Sequence, residues 1–269
     1  TARQDEGMSP RRRATEAAIV CSDLSISHTG RGETDKLIDG ITFTVARGSV
    51  LALMGPTGAG KSSLLSVLAG RAHEGVSVTG GDALVDGISV RRPGRAIREL
   101  TYFAGYLPQS AGAHLPSRLT VSEVIAEPIT SRERRINQKA LAIRVAGLLD
   151  ELMLPLGVAN KFPYELSAGM RQRVALARGL VVDPRILVAD EPFANLDVEV
   201  RKAAREAITR RRDDTGMAAV ISTHDPEAVK ELDANVLVLR GGHVVAFGHG
   251  TNDLIWTPSA EADRRFVVS

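Results

Sequence analysis

The chain is 269 residues long, 43% hydrophobic and 25% charged. That is enough apolar material for a sizeable core and too much for a disordered chain. Lys and Arg number 34 against 32 Asp and Glu, a formal charge of +2, without the basic excess of a nucleic-acid binder. Cys21 is the single cysteine, so no internal disulfide framework can form, in keeping with a reducing compartment.

Residues 1–15 are polar and charged, with Arg11, Arg12 and Arg13 and no apolar stretch behind them. They read as a loose tail and not as a secretory signal. The start at Thr1 instead of Met points to processing or trimming. No stretch approaches the ~18 apolar residues of a bilayer span, so the chain is expected to be soluble by itself and to reach a membrane only through a partner.

From Ala17 onward, short β-rich runs are broken by Gly and Asp. Ile41 to Val45 alternates apolar and polar, as a half-buried strand does, and Ser49 to Met54 reads as a buried strand. After a Gly-rich turn, Lys61 to Ala69 places Leu64, Leu65 and Leu68 at helical spacing. Leu119 to Leu154 is mainly helical in period, and Ser167 to Val182 is a helix with Arg171, Arg173 and Arg178 on a polar side. The apolar run Ile186 to Ala189 ends in Asp190-Glu191-Pro192. A helix over 198–212 and strands at 218–222, 236–239 and 244–246 follow. This order predicts an α/β core with a mostly helical insert at roughly 107–180. The single domain is expected over 16–255, with a short tail over 256–269.

Gly55-Pro56-Thr57-Gly58-Ala59-Gly60-Lys61-Ser62 fits G-x-x-x-x-G-K-[ST], with an apolar strand before it and a helix after it. Glycines let the chain curl so that backbone N–H groups and a helix N-terminus face phosphate oxygens. Lys61 supplies a charge to the β- and γ-phosphates, and Ser62 offers a hydroxyl to Mg²⁺. Taken without its flanks, the segment is a glycine turn. Asp190 and Glu191 end a buried strand, where a parallel sheet opens onto its ligand crevice. Asp190 is placed to hold Mg²⁺ through a water, and Glu191 to take a proton from an attacking water. Alone, the pair reads equally as an exposed strand end entering a turn at Pro192.

Leu166-Ser167-Ala168-Gly169-Met170-Arg171-Gln172-Arg173 resembles the signature motif of ATP-binding cassette (ABC) ATPases. The whole set stands in that family's order: the loop at 55–62, Gln109 in Tyr-Leu-Pro-Gln, the signature at 166–170, the acids, Asn195-Leu196-Asp197, and His224 after Ile221-Ser222-Thr223. The resemblance covers roughly residues 17–250. It implies a P-loop NTPase core with a mixed sheet, an antiparallel β-subdomain and an inserted α-helical subdomain. It further implies ATP and Mg²⁺ as cofactors, with Gly55 through Ser63 on the nucleotide.

By the same resemblance, Glu191, His224 and Gln109 are catalytic: Gln109 meets Mg²⁺ and the attacking water, and His224 contacts the γ-phosphate. Ser62, Gln109 and Asp190 are the metal residues. Asp197 communicates across a dimer, while serving equally as a helix N-cap. Ser167, Gly169 and Met170 hold the γ-phosphate bound to a second ATPase subunit, identical or not, because one chain has one loop and one signature. Ala168 stands where the family usually has Gly, and Met170 replaces the commoner Gln. His28 is the candidate by position for stacking on adenine; the alternative is a turn residue in a flexible stretch over 28–36.

Ser-x-Gly-Met-Arg-Gln-Arg, Phe162 to Ser167, Leu119 to Pro128 and Thr251 to Pro258 are similar to segments of the oligopeptide, dipeptide and nickel importer branch. The resemblance thus implies a peripheral subunit at the cytoplasmic face of the membrane. Its partners would be integral permease subunits and an extracytoplasmic substrate-binding protein, with no nucleic acid. The cargo would be peptides or a related small solute. With Cys21 alone, no iron–sulfur cluster is expected. The competing reading is the ATPase of an export or cell-envelope complex with separate membrane subunits. The stretch between loop and signature shows no heptads, against a chromosome-structure ATPase, and one cassette per chain argues against a translation factor. Leu119, Val121, Val124 and Ile125, among Ser122, Glu123 and Glu127, are expected to offer part of the surface for the membrane partner.

Overall fold

The computed structural model describes residues 17–30, 33–92, 94–133 and 135–257. The expected tails over 1–15 and, from Pro258 on, over 256–269 lie outside the described residues. Trp256 belongs to a strand and pairs with Ala246, so the domain runs past the expected boundary at 255. Two sheets organise the chain. Strands β1 (Ala17–Gly30), β2 (Glu33–Ala46), β4 (Val76–Val85) and β5 (Ile88–Ser89) form a four-stranded antiparallel sheet in the order β2-β1-β4-β5. The second sheet has seven strands in the order β11-β10-β9-β3-β8-β7-β6. Its members are β3 (Val50–Met54), β6 (Ala104–Leu107), β7 (Ile186–Asp190), β8 (Ala218–Ser222), β9 (Asn235–Arg240), β10 (His243–His249) and β11 (Asp253–Trp256). The run from β9 to β6 is parallel, and β10 and β11 add antiparallel strands at one edge.

The central strands read as unbroken apolar runs because both of their faces are covered. Every residue of β3, β7 and β8 is buried. The pleat divides them between two cores. Val50, Ala52 and Met54, with Leu187, Ala189, Ala219 and Ile221, pack under the helices on one face. Leu51 and Leu53, with Ile186, Val188, Ala218 and Val220, pack on α1 (Lys61–Leu68) and the antiparallel sheet on the other.

Helix α2 (Arg95–Phe103) leads into β6. The helices α3 (Val121–Thr130), α4 (Gln138–Glu151) and α5 (Ala168–Leu180) lie between β6 and β7 in the chain. Their starts carry the signals expected of helix N-termini: a Thr120–Glu123 capping box on α3, Asn137 capping α4, and Ser167 accepting from the N–H of Met170 on α5. Helix α6 (Val198–Thr215) ends at Gly216 in the left-handed region, three residues beyond the expected 212, and α7 (Pro226–Glu231) precedes β9.

Three expectations are corrected here. Val121, Val124 and Ile125 are fully buried and belong to the core with Leu148, Leu149 and Val174, so they offer no surface to a partner; the inserted helices must bury one stripe against each other to be stable at all. The expected flexible stretch over 28–36 is strand where it is described: residues 28–30 of β1 pair with 33–35 of β2, up to Gly30 opposite Glu33. The arginines of α5 do not simply face water. Arg171 donates to the carbonyl of Leu166 at 2.6 Å, Arg173 to those of Leu152 and Met153 at 3.3 and 2.6 Å, and Arg178 to Glu127 at 2.7 Å. Arg173 thereby satisfies carbonyls left open at the end of α4.

Candidate functional site

The loop Gly55–Gly60 joins the end of β3 to the start of α1. Gly60 has φ +96°, and a Cβ there would lie 2.4 Å from the carbonyl oxygen of Leu37, so only glycine fits. The loop folds under its own lysine: Lys61 Nζ donates to the carbonyls of Gly55 at 2.7 Å and Pro56 at 3.0 Å. Lys61 is 8% exposed. Burial lowers its pKa, and the negative field of Glu191 and Asp190 opposes that. Thr57 and Gly58 are exposed at the tip, while Ser62 and Ser63 are half-buried on the first turn. Helix α1 has no side-chain cap and no acidic residue in its first turn. Its first N–H groups lack intrahelical acceptors and its dipole end is uncompensated, which suits a phosphate.

Two strands away, β7 carries Asp190, 3% exposed, in register with Ser222 of β8. The Ser222 hydroxyl donates to Asp190 Oδ1 and accepts from the N–H of Glu191 at 2.9 Å. Among the described residues Asp190 Oδ2 makes no hydrogen bond. Glu191 leaves the strand with φ +52°, an uncommon conformation for a residue with a side chain and one that recurs at functional sites. Burial raises its pKa; His224 and Lys61 oppose the rise and Asp190 adds to it. His224 Nε2 lies 3.2 Å from Glu191 Oε1. Beyond Pro192, Asn195 also has positive φ, +61°, and Asp197 caps α6 by accepting from the N–H of Val200 at 3.0 Å.

The structure therefore brings Lys61, Asp190, Glu191 and His224 together. Among the described residues no hydrogen bond joins Gln109 or the Ser167–Met170 segment to the loop at 55–62. Gln109 is exposed in the turn after β6. Ser167 is exposed at the N-terminus of α5, Gly169 is half-buried beside it, and Met170 packs partly into the core. His28 stands on β1 opposite Asp35 of β2 and Val76 of β4. Sequence reasoning missed Ser222, although a polar residue closing the apolar run Ala218 to Ile221 is a signal for it. It also missed Arg205, which is 3% exposed and donates to Asp225 Oδ2 at 3.4 Å beside His224.

A metal cage of three or more His, Cys, Asp or Glu side chains is absent among the described residues. Magnesium is commonly held by one or two carboxylates together with ligand phosphates and water. Asp190 with the Ser62 hydroxyl matches that donor set.

A glycine-rich loop on an uncapped helix, two acids at the end of a buried strand and a histidine just past the end of the neighbouring strand define a phosphate-loop nucleotide-binding fold of the ATP-binding-cassette type. The family model described as "ABC transporter" matches residues 38–194, and the chain belongs to that family. Curated relatives include the sulfate/thiosulfate import ATP-binding proteins CysA of Xanthomonas campestris, 36% identical over 77% of this chain, and of Bradyrhizobium diazoefficiens, 34% identical over 86% of it. The chain spans 58% and 64% of the length of those two relatives. Among solved structures, the dimeric ATP-binding cassette MJ0796 bound to ADP and Pi superposes with a TM-score of 0.78 at 23% identity, over 86% of this chain and 98% of that one. The cassette cbiO1 of Clostridium perfringens, part of the transporter complex cbiONQ, gives 0.71 at 24% identity, over 87% and 88%. These likenesses establish the ABC ATPase fold.

Proposed function

We propose that the chain is the ATP-binding and ATP-hydrolysing subunit of a transporter that imports a small solute, seated at the cytoplasmic face of the membrane. The observation that carries this reading is the pairing of Glu191 with His224 at 3.2 Å, within the field of the phosphate-loop lysine Lys61. Gly55 through Ser63 cradle the phosphates with backbone N–H groups and the Lys61 charge. Glu191 takes the proton of the attacking water, its raised pKa bringing it nearer neutrality, where a general base works best. His224 steadies Glu191 and contacts the terminal phosphate. Ser62, Asp190 and Gln109 are the residues that would hold Mg²⁺, which supplies charge neutralisation at the phosphates. His28 stacks on adenine.

Ser167, Gly169 and Met170 close the site of a second cassette subunit. The exposure of Ser167 at the start of α5, with no hydrogen bond from this segment to the chain's own phosphate loop among the described residues, supports that assembly. No helix of the described residues is long and apolar enough to cross a membrane, so transport requires integral permease subunits, with a substrate-binding protein outside. A cleft of about 380 Å³ behind the Gln109 turn, lined by Arg71, Tyr106, Glu127, Arg132 and Arg178, replaces the buried α3 residues as the place for a permease helix. The relatives' names favour sulfate or thiosulfate as cargo, ahead of the peptides suggested by residues 119–128 and 162–167.

The test is Mg²⁺-dependent phosphate release by the purified chain, joined to uptake of sulfate, thiosulfate and dipeptides by cells lacking it. Hydrolysis together with a defect in one uptake supports the reading. A chain that binds no nucleotide, or cells with all uptakes intact, overturns it.

A further inference from the structure

Gln172 is 4% exposed in the middle of the apolar helix α5, and its carboxamide spends its bonds on two segments far apart in sequence. Its Oε1 accepts from the N–H of Gly112 at 3.3 Å, in the turn that follows Gln109. Its Nε2 donates to the carbonyls of Glu191 and Pro192, both at 3.3 Å. Reversing the amide would set an NH₂ against an N–H and an oxygen against two carbonyls, so the partners themselves fix its orientation.

The neighbours are arranged around this contact. A Cβ on Gly112 would lie 2.7 Å from the backbone nitrogen of Gln172; the turn is pressed onto α5 with no room for a methyl group. At the other end, Glu191 holds a positive φ that surrounding structure must maintain. Its N–H is taken by Ser222, and its C=O accepts both from Gln172 and from the N–H of Ala194 at 3.2 Å, so the residue is gripped on both sides.

We propose that Gln172 is a positioning residue for hydrolysis: it aims the Glu191 carboxylate by holding its backbone carbonyl, and ties that aim to the turn carrying Gln109. This role rests on the ATPase activity proposed above. The Gln172 carboxamide bonds only to Gly112, Glu191 and Pro192 and not to the loop at 55–62, so its loss should act on turnover and leave binding alone.

The experiment compares wild type, Gln172→Met and Gln172→Glu for kcat and KM of ATP hydrolysis, ATP affinity and thermal midpoint. Met keeps the volume and removes all three bonds. Glu keeps the acceptor for Gly112 and loses the donor to Glu191 and Pro192. The expected result is a kcat at least tenfold lower in both folded variants, with KM and ATP affinity within about twofold of wild type. A merely structural role would lower the thermal midpoint and leave kcat per folded molecule unchanged; that outcome overturns the proposal. If Gln172→Met does not fold, Gln172→Glu alone decides by the same criterion. A wild type that binds ATP without hydrolysing it overturns the proposed activity and this role with it, whereas an active wild type with wild-type-like variants overturns this role only.

Discussion

His224 Nε2 stands 3.2 Å from Glu191 Oε1, the one side chain just past the end of β8, the other just past the end of its neighbour β7. Parallel pairing sets both at the same edge of the sheet, with Asp190 opposite Ser222. The Glu191 side chain is 30% exposed and that of His224 50%, so water reaches the pair while burial still pushes the Glu191 pKa up.

Glu191→Gln is expected to bind ATP almost as tightly as wild type and to hydrolyse it on the order of a hundredfold more slowly or worse, the range for loss of a general base. Phosphate release and nucleotide titration separate the two effects. Because Glu191 is protonated more readily than an ordinary carboxylate, the wild-type rate should fall on acidification at a pH above the usual glutamate range. In the Gln variant the residual rate should lose that acid limb. Parent-like turnover in the variant excludes Glu191 as the base.

Lys61→Ala removes the buried charge beside the phosphates and should weaken nucleotide binding. Mixed with Ser167→Arg, it tests the two-chain site. If each nucleotide lies between one chain's loop and another chain's signature, both defects fall on one site of the mixed dimer and the other site is intact. Activity should then reappear on mixing two inactive preparations. Absence of recovery at every ratio, with a fully active monomer, would refute the shared site.

Asp86 lies beneath Arg47 and Arg185, accepting from both. Burial alone would raise its pKa, but the two guanidinium groups hold it below the usual value. A depressed folded-state pKa means stability that is present above the unfolded aspartate pKa and lost as pH falls through the folded one. Asp86→Asn should therefore cost about 1–2 kcal/mol at neutral pH, and the deficit should shrink as pH falls through the depressed folded-state pKa, where the wild-type carboxyl is itself neutralised. Urea midpoints across pH measure this; an equal deficit at every pH would assign the loss to packing.

Ile125 is fully buried in α3, so Ile125→Ala should cost about 2–5 kcal/mol and lower the thermal midpoint by several degrees. Arg132, in the cleft and stacked 4.7 Å over Tyr102, is the contrasting position. Arg132→Glu should leave ATP hydrolysis by the isolated chain unchanged and uncouple uptake in cells. Normal uptake with Arg132→Glu would remove the cleft as the docking place.

Local signals carried much of the architecture. The loop at 55–62, the strand ending at Asp190 and the caps at Ser167 and Asp197 are written in adjacent residues, and each lies where its pattern predicts. The membrane-facing surface was misplaced for a physical reason. An amphipathic stripe such as Val121, Val124 and Ile125 shows that a helix buries one side, and its period is blind to whether the cover is the same chain or another. Gln172 and Arg205 were invisible for a related cause. A buried polar side chain acquires meaning only from partners brought by the fold, here Glu191 to Gln172 and Asp225 to Arg205. The alternative that placed His28 in a flexible turn failed because its strand partner Asp35 lies among polar residues with no alternation to announce a strand.

Strand β3 has β8 on one side and β9 on the other, and all of its residues are buried. Its amides, with those of β7 and β8, should exchange with deuterium only through global opening. The phosphate loop and the two acids thus hang from the slowest-exchanging part of the molecule. The turn at Gln109 follows β6, the strand at the sheet's other margin, and is exposed. Exchange there should proceed through far smaller openings. Such a gradient leaves the inserted helices freer to shift than the phosphate loop and the two acids, which keep their places.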